Sequence, residues 1–498
     1  MEKTIIALEI GSSKIKGATG SVSPDGALNV KAVEEEPITD IVRYGCILNV
    51  VDTAQAVRNV INRLEQREAP RKVEGVYLSI GGRSLSAQSV DIERRLPSET
   101  IIEQDIIEDI TAEALEYPMN DRTIVDVTPR EVLIDNRVTT RPTGVMGSHV
   151  LARLNLVSCR TQLLRTLSVV IEDRLGLNIM GTFVRPLALA DLVLLNEEKK
   201  LGCMLVDFGA ETTTVAIYRG GILVHLAVLP MGSRNITRDI TALNYLEEQA
   251  EELKKVGGSA FPTLESTHAP GQPDLVAINN YVSARAAEII VNIVEQITYA
   301  GLTPDCLPGG IVIVGKGARL NGFNQRLEQL SHLKVRQGAP GNRLRILDGR
   351  IQIADSVDVL AILSKAAKSD PKECMTAPVA EQPAAATETY PTGTTAPVGS
   401  NQGGTRAPAA NPGNNDSVLS NAGSTGTPAG SNQGGTHAPV TNTGTQQVPR
   451  PVPTTPKPVS EPIPAPKKPN LFARGYNQLV TKVANLITNS FEEEEDEE

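Results

Sequence analysis

One arrangement of strands around a turn occurs twice in this 498-residue sequence, and it constrains the fold more than any other feature. Each copy has an apolar strand, a short turn containing glycine and hydroxyl residues, two further strands and then a helix. The strands are predicted over Thr4–Ile10, Lys14–Val22 and Leu28–Val33 in the first copy and over Gly202–Phe208, Thr212–Tyr218 and Gly221–Val228 in the second. Two distant copies of one unit predict two related α/β domains on either side of a cleft.

Charge and composition exclude several classes of function. The formal net charge is −10, but Glu492–Glu498 are all acidic, so the rest of the chain carries only −3. This balance does not suit duplex nucleic acid, and 3% aromatic residues without tryptophan provide few surfaces on which single strands could stack. Five dispersed cysteines without a CxxC pattern predict neither a disulfide framework nor a zinc site. No nucleic-acid partner is expected.

Composition also divides the chain along its length. The sequence reads as globular up to about Lys368, whereas residues 369–468 are rich in Pro, Ala, Thr, Gly, Ser and Asn and contain a near-repeat at 399–408 and 430–439. Such a segment cannot bury enough apolar surface to offset its ordering entropy, so it is predicted to be a disordered linker. The N-terminus does not resemble a signal peptide, and no apolar run approaches the ~18–20 residues of a spanning helix, which predicts a cytoplasmic protein.

The two turns have the composition of phosphate-binding turns. The first contains Glu9, Gly11, Ser12, Ser13 and Lys14, and the second contains Asp207, Gly209, Ala210 and Thr212. Backbone amides of a glycine-containing turn, with hydroxyls and a lysine, can surround phosphate oxygens. Carboxylates that face each other across a cleft could hold the hydrated Mg²⁺ that accompanies a triphosphate. Either turn alone is typical of an ordinary hairpin, but the pair favours nucleotide binding.

Two further elements suit the adenosine part of a nucleotide. A buried strand ends in Gly315, Lys316 and Gly317, where small residues allow the backbone to approach a flat ligand face. Gly232 and Ser233 begin a segment that runs on to Glu251 and Lys254, which share one helix face. That pair could be a solvated ion pair or could contact the sugar or base, and the sequence leaves both alternatives open.

These elements, in this order, resemble the actin/Hsp70/sugar-kinase ATPase superfamily over roughly residues 4–365. Within it, the order of parts resembles the FtsA family of bacterial cell-division proteins, in which a small SHS2-type domain is inserted into the first half. The insert here is predicted to have strands at Ala87–Arg94, Thr123–Ile134 and Val145–Val157 and a helix at Glu103–Glu116.

The resemblance implies an actin/Hsp70-like two-domain fold with an α+β insert, and it implies domain boundaries. They are 1–82 for subdomain 1A, completed by 345–368; 83–158 for the SHS2-type subdomain 1C; 159–235 for 2A; 236–308 for 2B; and 309–368 for the return to 2A and 1A. The C-terminal parts are the linker at 369–468, an amphipathic helix at 469–491 and an acidic tail at 492–498.

Three positions depart from the superfamily pattern. Glu9 stands where aspartate is usual, and Lys316 lies inside the adenosine Gly-x-Gly. Arg185 stands ahead of the connecting helix, where hydrolytic relatives often have a Glu or Gln that orients the attacking water, and an arginine cannot accept the proton of that water. We therefore expect ATP and Mg²⁺ binding with at most weak hydrolysis, the nucleotide acting as a structural or polymerisation switch.

The predicted C-terminal helix has one continuous apolar face. The residues of this face are Leu471, Phe472, Tyr476, Leu479, Val480, Val483, Leu486, Ile487 and Phe491. It could lie in a membrane interface, fill a groove on a protein or fold back onto the globular body. The resemblance favours the membrane, although Glu492–Glu498 would be repelled by anionic headgroups.

The resemblance implies an adaptor that tethers the tubulin homologue FtsZ to the inner face of the membrane at the division site. Its implied partners are the C-terminal peptide of FtsZ, further copies of the chain in an actin-like polymer, membrane lipid, and other division proteins at the SHS2 insert. The FtsZ peptide would bind within 236–308, where Arg285 and Glu288 share a helix. Two alternatives are a small-molecule kinase or chaperone-type ATPase of the same superfamily and an SHS2-bearing pilus-assembly adaptor.

Overall fold

The structure is a computed structural model that describes residues 2–23, 27–139, 141–263, 273–341 and 344–376, together with Thr481, Ala484 and Asn485. The predicted linker from residue 377 onward, the nine apolar residues of the C-terminal helix and the acidic tail lie outside the described residues. No helix of the described ranges is long and apolar enough to cross a membrane.

The elements follow one another in four groups. The first group is β1 Lys3–Ile10, β2 Lys14–Val22, β3 Leu28–Pro37, β4 Val42–Arg43, β5 Cys46–Ile47, α1 Val50–Arg67 and β6 Gly75–Ile80. The insert contains β7 Ser86–Ile101, α2 Gln104–Leu115, β8 Arg122–Ile134, β9 Arg137–Thr139 and β10 Met146–Arg160. The connecting group is α3 Thr161–Ser168, β11 Asn178–Val184, α4 Arg185–Val193 and α5 Asn196–Leu201.

The last group forms the second half of the molecule. It contains β12 Cys203–Phe208, β13 Thr213–Arg219, β14 Ile222–Leu229, α6 Ser233–Ile240, α7 Glu247–Gly257, α8 Leu275–Tyr299, β15 Ile311–Val314, α9 Phe323–Ser331, β16 Val335–Gln337, β17 Arg345–Ile346 and α10 Ile353–Lys368. Capping side chains fix where helices begin: the Asn49 side chain accepts hydrogen bonds from the amides of Val51 and Asp52 at the start of α1.

The two large sheets share the order of five strands, and the first has a sixth strand, β17, at its edge. The first is ordered β11-β6-β1-β2-β3-β17, and the second is ordered β14-β13-β12-β15-β16. In both, an antiparallel meander of three strands is extended by two parallel strands beside its first strand. Both faces of such sheets are covered, which explains why β1 and β12 are apolar and almost continuously buried. The repeat in the sequence therefore corresponds to a repeat in topology.

The insert has a sheet of its own, ordered β7-β10-β8-β9, with α2 packed against it. Its apolar core is separate from the cores of the two halves and contains Ile92, Ile107, Ile110 and Leu154. Ala484 is fully buried against this same core, and the side-chain amide of Gln104 donates to the Asn485 Oδ1 atom at 3.3 Å. The described part of the C-terminal helix therefore contacts the insert.

Two predictions about segment ends need correction. The helix expected over Thr161–Leu175 is α-helical only to Ser168, and Val169–Arg174 form a π-helical turn. The linker was expected from residue 369, but Cys374 and Met375 are buried, and the Cys374 amide donates to the Thr4 carbonyl at 2.9 Å. This segment adds an edge contact to the first half, so residues up to 376 belong to the folded body.

Candidate functional site: a cleft between two phosphate-type turns

A cleft of about 1050 Å³ lies between the two halves. The predicted site residues that line it are Glu9, Gly11, Ser12, Ser13, Lys14, Asp207, Gly209, Ala210, Thr212, Ser233, Glu251, Lys254, Gly315, Lys316 and Gly317. Gly232 is the exception, because it packs behind the second turn: a Cβ there would lie 2.5 Å from the Ala210 carbonyl. The fold thus brings together elements from four distant parts of the sequence.

The two turns have the same geometry. The Gly11 amide donates to the Lys14 carbonyl at 3.0 Å, and the Gly209 amide donates to the Thr212 carbonyl at 2.9 Å. Each turn reverses an antiparallel hairpin, and in each a carboxylate stands two residues before the glycine. Glu9 and Asp207 are both buried at the cleft floor, although they come from different halves.

Arg185 joins these two carboxylates. It is the first residue of α4, and Pro186 fixes the backbone where the helix starts. Its Nη1 atom donates to the Glu9 Oε1 atom at 2.8 Å, and its Nη2 atom lies 2.9 Å from the Asp207 Oδ2 atom. The contact with Glu9 is a charge-assisted hydrogen bond, whereas the contact with Asp207 is an ion pair in which Asp207 Oδ2 has no hydrogen-bond partner among the described residues. The guanidinium thus lies between the two halves at the cleft floor.

Burial and charge both act on the protonation of this cluster. Burial, together with the nearby Asp358, raises the pKa of Glu9 to about 7, even though Arg185 and Lys16 favour its charged form. Burial also raises the pKa of Asp207. Burial alone would lower the pKa of Arg185, but Asp207 and Glu9 raise it above its ordinary value, so the guanidinium stays charged.

The predicted Mg²⁺ site does not fit this arrangement. The expectation was that Glu9 and Asp207 would face each other with room for a hydrated ion, but each carboxylate already contacts Arg185. Arg185 therefore lies at the position where the sequence predicted a hydrated Mg²⁺ ion.

A second buried ion pair lies beside the first. The Lys16 Nζ atom donates to the Asp358 Oδ2 atom at 2.6 Å and to the Asp355 carbonyl at 2.7 Å, which ties β2 to α10. Although burial lowers the pKa of Lys16, Asp358 raises it above its usual value. The sequence analysis did not single out Lys16 or Asp358. Strand alternation could have indicated Lys16, because it places this residue on the same face as Lys14, but no comparable signal existed for Asp358.

The second turn is held in place by the N-terminus of α6. The Ser233 amide donates to the Gly209 carbonyl at 3.0 Å, and the Arg234 amide donates to the Ala210 carbonyl at 2.7 Å. Glu211, within the same turn, is fully buried and lies 3.1 Å from Arg238 and 3.5 Å from Arg234. Nothing in the sequence distinguished Glu211 from a surface carboxylate.

Glu251 and Lys254 form an ion pair in the cleft wall. Lys254 is buried, and its Nζ atom lies 2.6 Å from the Glu251 Oε2 atom and 2.8 Å from the Thr237 hydroxyl. Burial lowers the pKa of Lys254, although Glu251 favours its charged form. Although burial raises the pKa of Glu251, the Lys254 ammonium holds it below its ordinary value.

The predicted adenosine strand ends at Val314, and Gly315 and Gly317 lie at the start of a 3-10 turn that packs against the second sheet. Gly315 has a φ of +93°, and a Cβ there would lie 2.4 Å from the Phe208 carbonyl. A Cβ at Gly317 would lie 2.7 Å from the Phe208 ring. Lys316 points to the cleft rim, with its Nζ atom 3.4 Å from Glu35 and 3.8 Å from Asp355.

Arg285 and Glu288, the two residues predicted to bind a partner, form ion pairs within the chain. Arg285 makes a two-point contact with Asp239, at 2.6 and 3.0 Å, and its Nη1 atom donates to Glu288 at 2.5 Å. An acidic peptide would have to compete with these carboxylates. The predicted membrane residues Leu471–Phe491 lie outside the described residues.

Two halves of one topology, a cleft between them and a phosphate-type turn in each half define the class of actin-like α/β proteins. At 16% identity, the chain is similar in fold to a solved structure of the PilM-PilN type IV pilus biogenesis complex, with a TM-score of 0.54 and coverage of 73% of this chain and 98% of that one. The fold-class prediction is confirmed.

Sequence comparison finds similarity to one family within this class. The profile described as "Cell division protein FtsA" matches residues 204–358. The chain is 29% identical over 342 residues to the cell division protein FtsA of Porphyromonas gingivalis, covering 66% of this chain and 71% of that protein. It is 28% identical over 369 residues to that of Escherichia coli, covering 70% and 86%. The predicted resemblance to the FtsA family is confirmed.

Proposed function

We propose that this chain is an actin-like cell-division protein that binds ATP in the cleft between its halves. The observation that carries the proposal is the pair of equivalent turns, each with a glycine amide bonded three residues on, that face one cleft in a chain similar to the FtsA family. The glycine segment Gly315–Gly317, which follows β15, and the Glu251–Lys254 pair line the same cleft and would contact the nucleoside.

The cellular role follows from the relatives, whose names describe them as cell division proteins. In this proposal the chain tethers FtsZ filaments to the inner face of the membrane through its C-terminal helix and polymerises with further copies of itself. FtsZ would be contacted through its C-terminal peptide within 236–308, and other division proteins would contact the insert. The protein would thus be cytoplasmic and peripheral on the membrane at the division site.

Turnover of ATP is proposed to be slow. Arg185 lies at the cleft floor, and its guanidinium can donate hydrogen bonds but cannot accept a proton from an attacking water. The nearest candidate base, Glu9, is occupied by that same guanidinium. A kcat well below the enzyme median of about 10 s⁻¹ is therefore expected.

Nucleotide binding is tested by calorimetry on the full chain and on a matched pair of variants. In Gly209→Val, the new side chain starts 3.0 Å from the Thr212 carbonyl and fills the second turn. In Gly349→Val, the new side chain enters open space away from the cleft. ATP binding should be lost in the first variant and kept in the second. Absence of ATP binding by the unaltered chain would exclude the proposal.

Tethering is tested by pelleting FtsZ with liposomes. The full chain should carry FtsZ into the pellet, whereas a chain lacking residues 470–498 should leave both proteins in the supernatant. FtsZ without its C-terminal peptide is the matched control, and it should stay in solution while the full chain still pellets. If that truncated FtsZ pellets equally well, the proposed contact with its C-terminal peptide is wrong.

A further inference from the structure

The contact between Arg185 and the two cleft carboxylates has a consequence for the ligand. We infer that Arg185 supplies the positive charge that a divalent cation would otherwise supply in this cleft, and that the chain binds a nucleoside triphosphate without one. This inference rests on the proposed nucleotide binding and concerns its metal requirement. It replaces the expectation, drawn from the sequence, that Mg²⁺ accompanies the nucleotide.

Geometry is the first support. A hydrated Mg²⁺ between the halves would direct the hydrogens of its water ligands at the carboxylates of Glu9 and Asp207. The Arg185 guanidinium already lies between these carboxylates, with a hydrogen bond of 2.8 Å to Glu9 and an ion-pair distance of 2.9 Å to Asp207. A planar fork with five donors can contact two carboxylates and still present N–H groups to a ligand.

Charge is the second support. An arginine does not lose its proton in a protein, so an ion placed beside this guanidinium would be strongly repelled at short range. Displacing the guanidinium would break a buried hydrogen bond to Glu9 and a buried ion pair with Asp207. Asp358, the third buried carboxylate of the cluster, cannot serve instead, because it is paired with Lys16 at 2.6 Å. The cations of the cleft floor are thus residues of the chain.

An unused donor is the third support. The Arg185 Nε–H group is buried and has no hydrogen-bond partner among the described residues. A buried donor without a partner is costly, and a phosphate oxygen at the cleft floor would satisfy it. Lys14 and Lys316 add positive charge at the cleft rim, where both also contact Glu35. Donors from three cationic side chains therefore line the cleft.

The test measures ATP binding by calorimetry in excess EDTA and in Mg²⁺. For the unaltered chain, the two dissociation constants should agree within about threefold. Arg185→Gln should lose about tenfold or more in EDTA and recover part of that loss in Mg²⁺, because removal of the guanidinium leaves Glu9 and Asp207 without it. Arg350→Gln removes an exposed arginine outside the cleft and should behave as the unaltered chain does.

Each result has one meaning. If EDTA weakens ATP binding by the unaltered chain about tenfold or more, the inference is wrong while the proposed nucleotide binding stands. If Arg185→Gln binds ATP in EDTA as well as the unaltered chain does, the inference is also wrong. If ATP binds under neither condition, the proposed function itself fails. The comparison on the unaltered chain decides the question even if the variant does not fold.

Discussion

The Tyr44 amide donates a hydrogen bond of 2.7 Å to the Glu211 carboxylate, which joins the first half of the molecule to the second phosphate-type turn. The next residue along the chain, Gly45, donates through its amide to the Ser12 hydroxyl of the first turn at 3.0 Å. The hairpin formed by β4 and β5 therefore contacts both turns.

Replacing Glu211 should destabilise the folded chain. Its carboxylate is fully buried and faces Arg234 and Arg238, so Glu211→Gln would remove the buried negative charge that these two arginines share. Breaking a buried pair in this way costs about 3 kcal/mol of unfolding free energy. Urea denaturation measures the loss. Glu288→Gln, which alters a half-exposed carboxylate on α8, is the control and should leave the midpoint unchanged. Equal midpoints for the two variants would contradict the assigned role of Glu211.

Replacing Gly317 tests the packing of the glycine segment. Gly317→Ala would place a methyl group 2.7 Å from the Phe208 ring, which is itself stacked on Phe323 at 4.5 Å. Overpacking of this kind costs about 1–3 kcal/mol, and the shifted segment should also weaken ATP binding. Gly349→Ala meets open space and should change neither property. A fully stable Gly317→Ala chain would show that the segment can move away from Phe208.

Stability should depend on pH through Glu251. The buried Lys254 holds the pKa of Glu251 below its ordinary value in the folded chain, against the effect of burial. The contribution of the pair is therefore present above the unfolded pKa of about 4.5 and is lost as pH falls through the lower folded value. Glu251→Gln should cost about 1–2 kcal/mol at neutral pH, less than a fully buried pair because the carboxylate is one-third exposed.

The pH series identifies that pair as the cause. The difference in stability between the unaltered chain and Glu251→Gln should shrink as the pH is lowered, because protonation removes the same charge. Glu252→Gln, one residue along α7 on the exposed surface, should follow the unaltered chain at every pH. A Glu251→Gln deficit that stays constant down to low pH would point to lost packing rather than lost charge.

The sequence was sufficient for what depends on local pattern. Strand periodicity and the glycine turns predicted the two-part fold, and they placed Gly11 and Gly209 at equivalent positions. Pairing between distant charges could not be predicted in this way, because Arg185 meets Glu9 across 176 residues of sequence. Arg185 was recognisable as a departure from the superfamily, but its effect on the metal required the positions of both carboxylates. The burial of Cys374 could not be predicted for the same reason, because Cys374 contacts Thr4 in β1, at the opposite end of the folded sequence.

The last prediction concerns the C-terminal helix, whose apolar face could contact a membrane or the body of the chain. Replacing Leu479 and Leu486 with Glu would put two charges on that face, and each change removes about 1.5–3 kcal/mol of burial. We expect the double variant to leave liposomes while ATP and FtsZ-peptide binding persist. Thr481→Glu is the control, because Thr481 is exposed and its replacement leaves the apolar face intact.

The acidic tail provides a second test of membrane contact, and the insert provides the alternative contact for the helix. Removal of Glu492–Glu498 should strengthen pelleting with anionic liposomes at low salt, and the gain should vanish as salt screens the charge. Ala484 is buried against the insert core beside the contact between Gln104 and Asn485, which is the observation that favours folding back. If the double glutamate variant still pellets with liposomes and the tail has no salt-dependent effect, the helix is a protein-docking element and the membrane proposal fails.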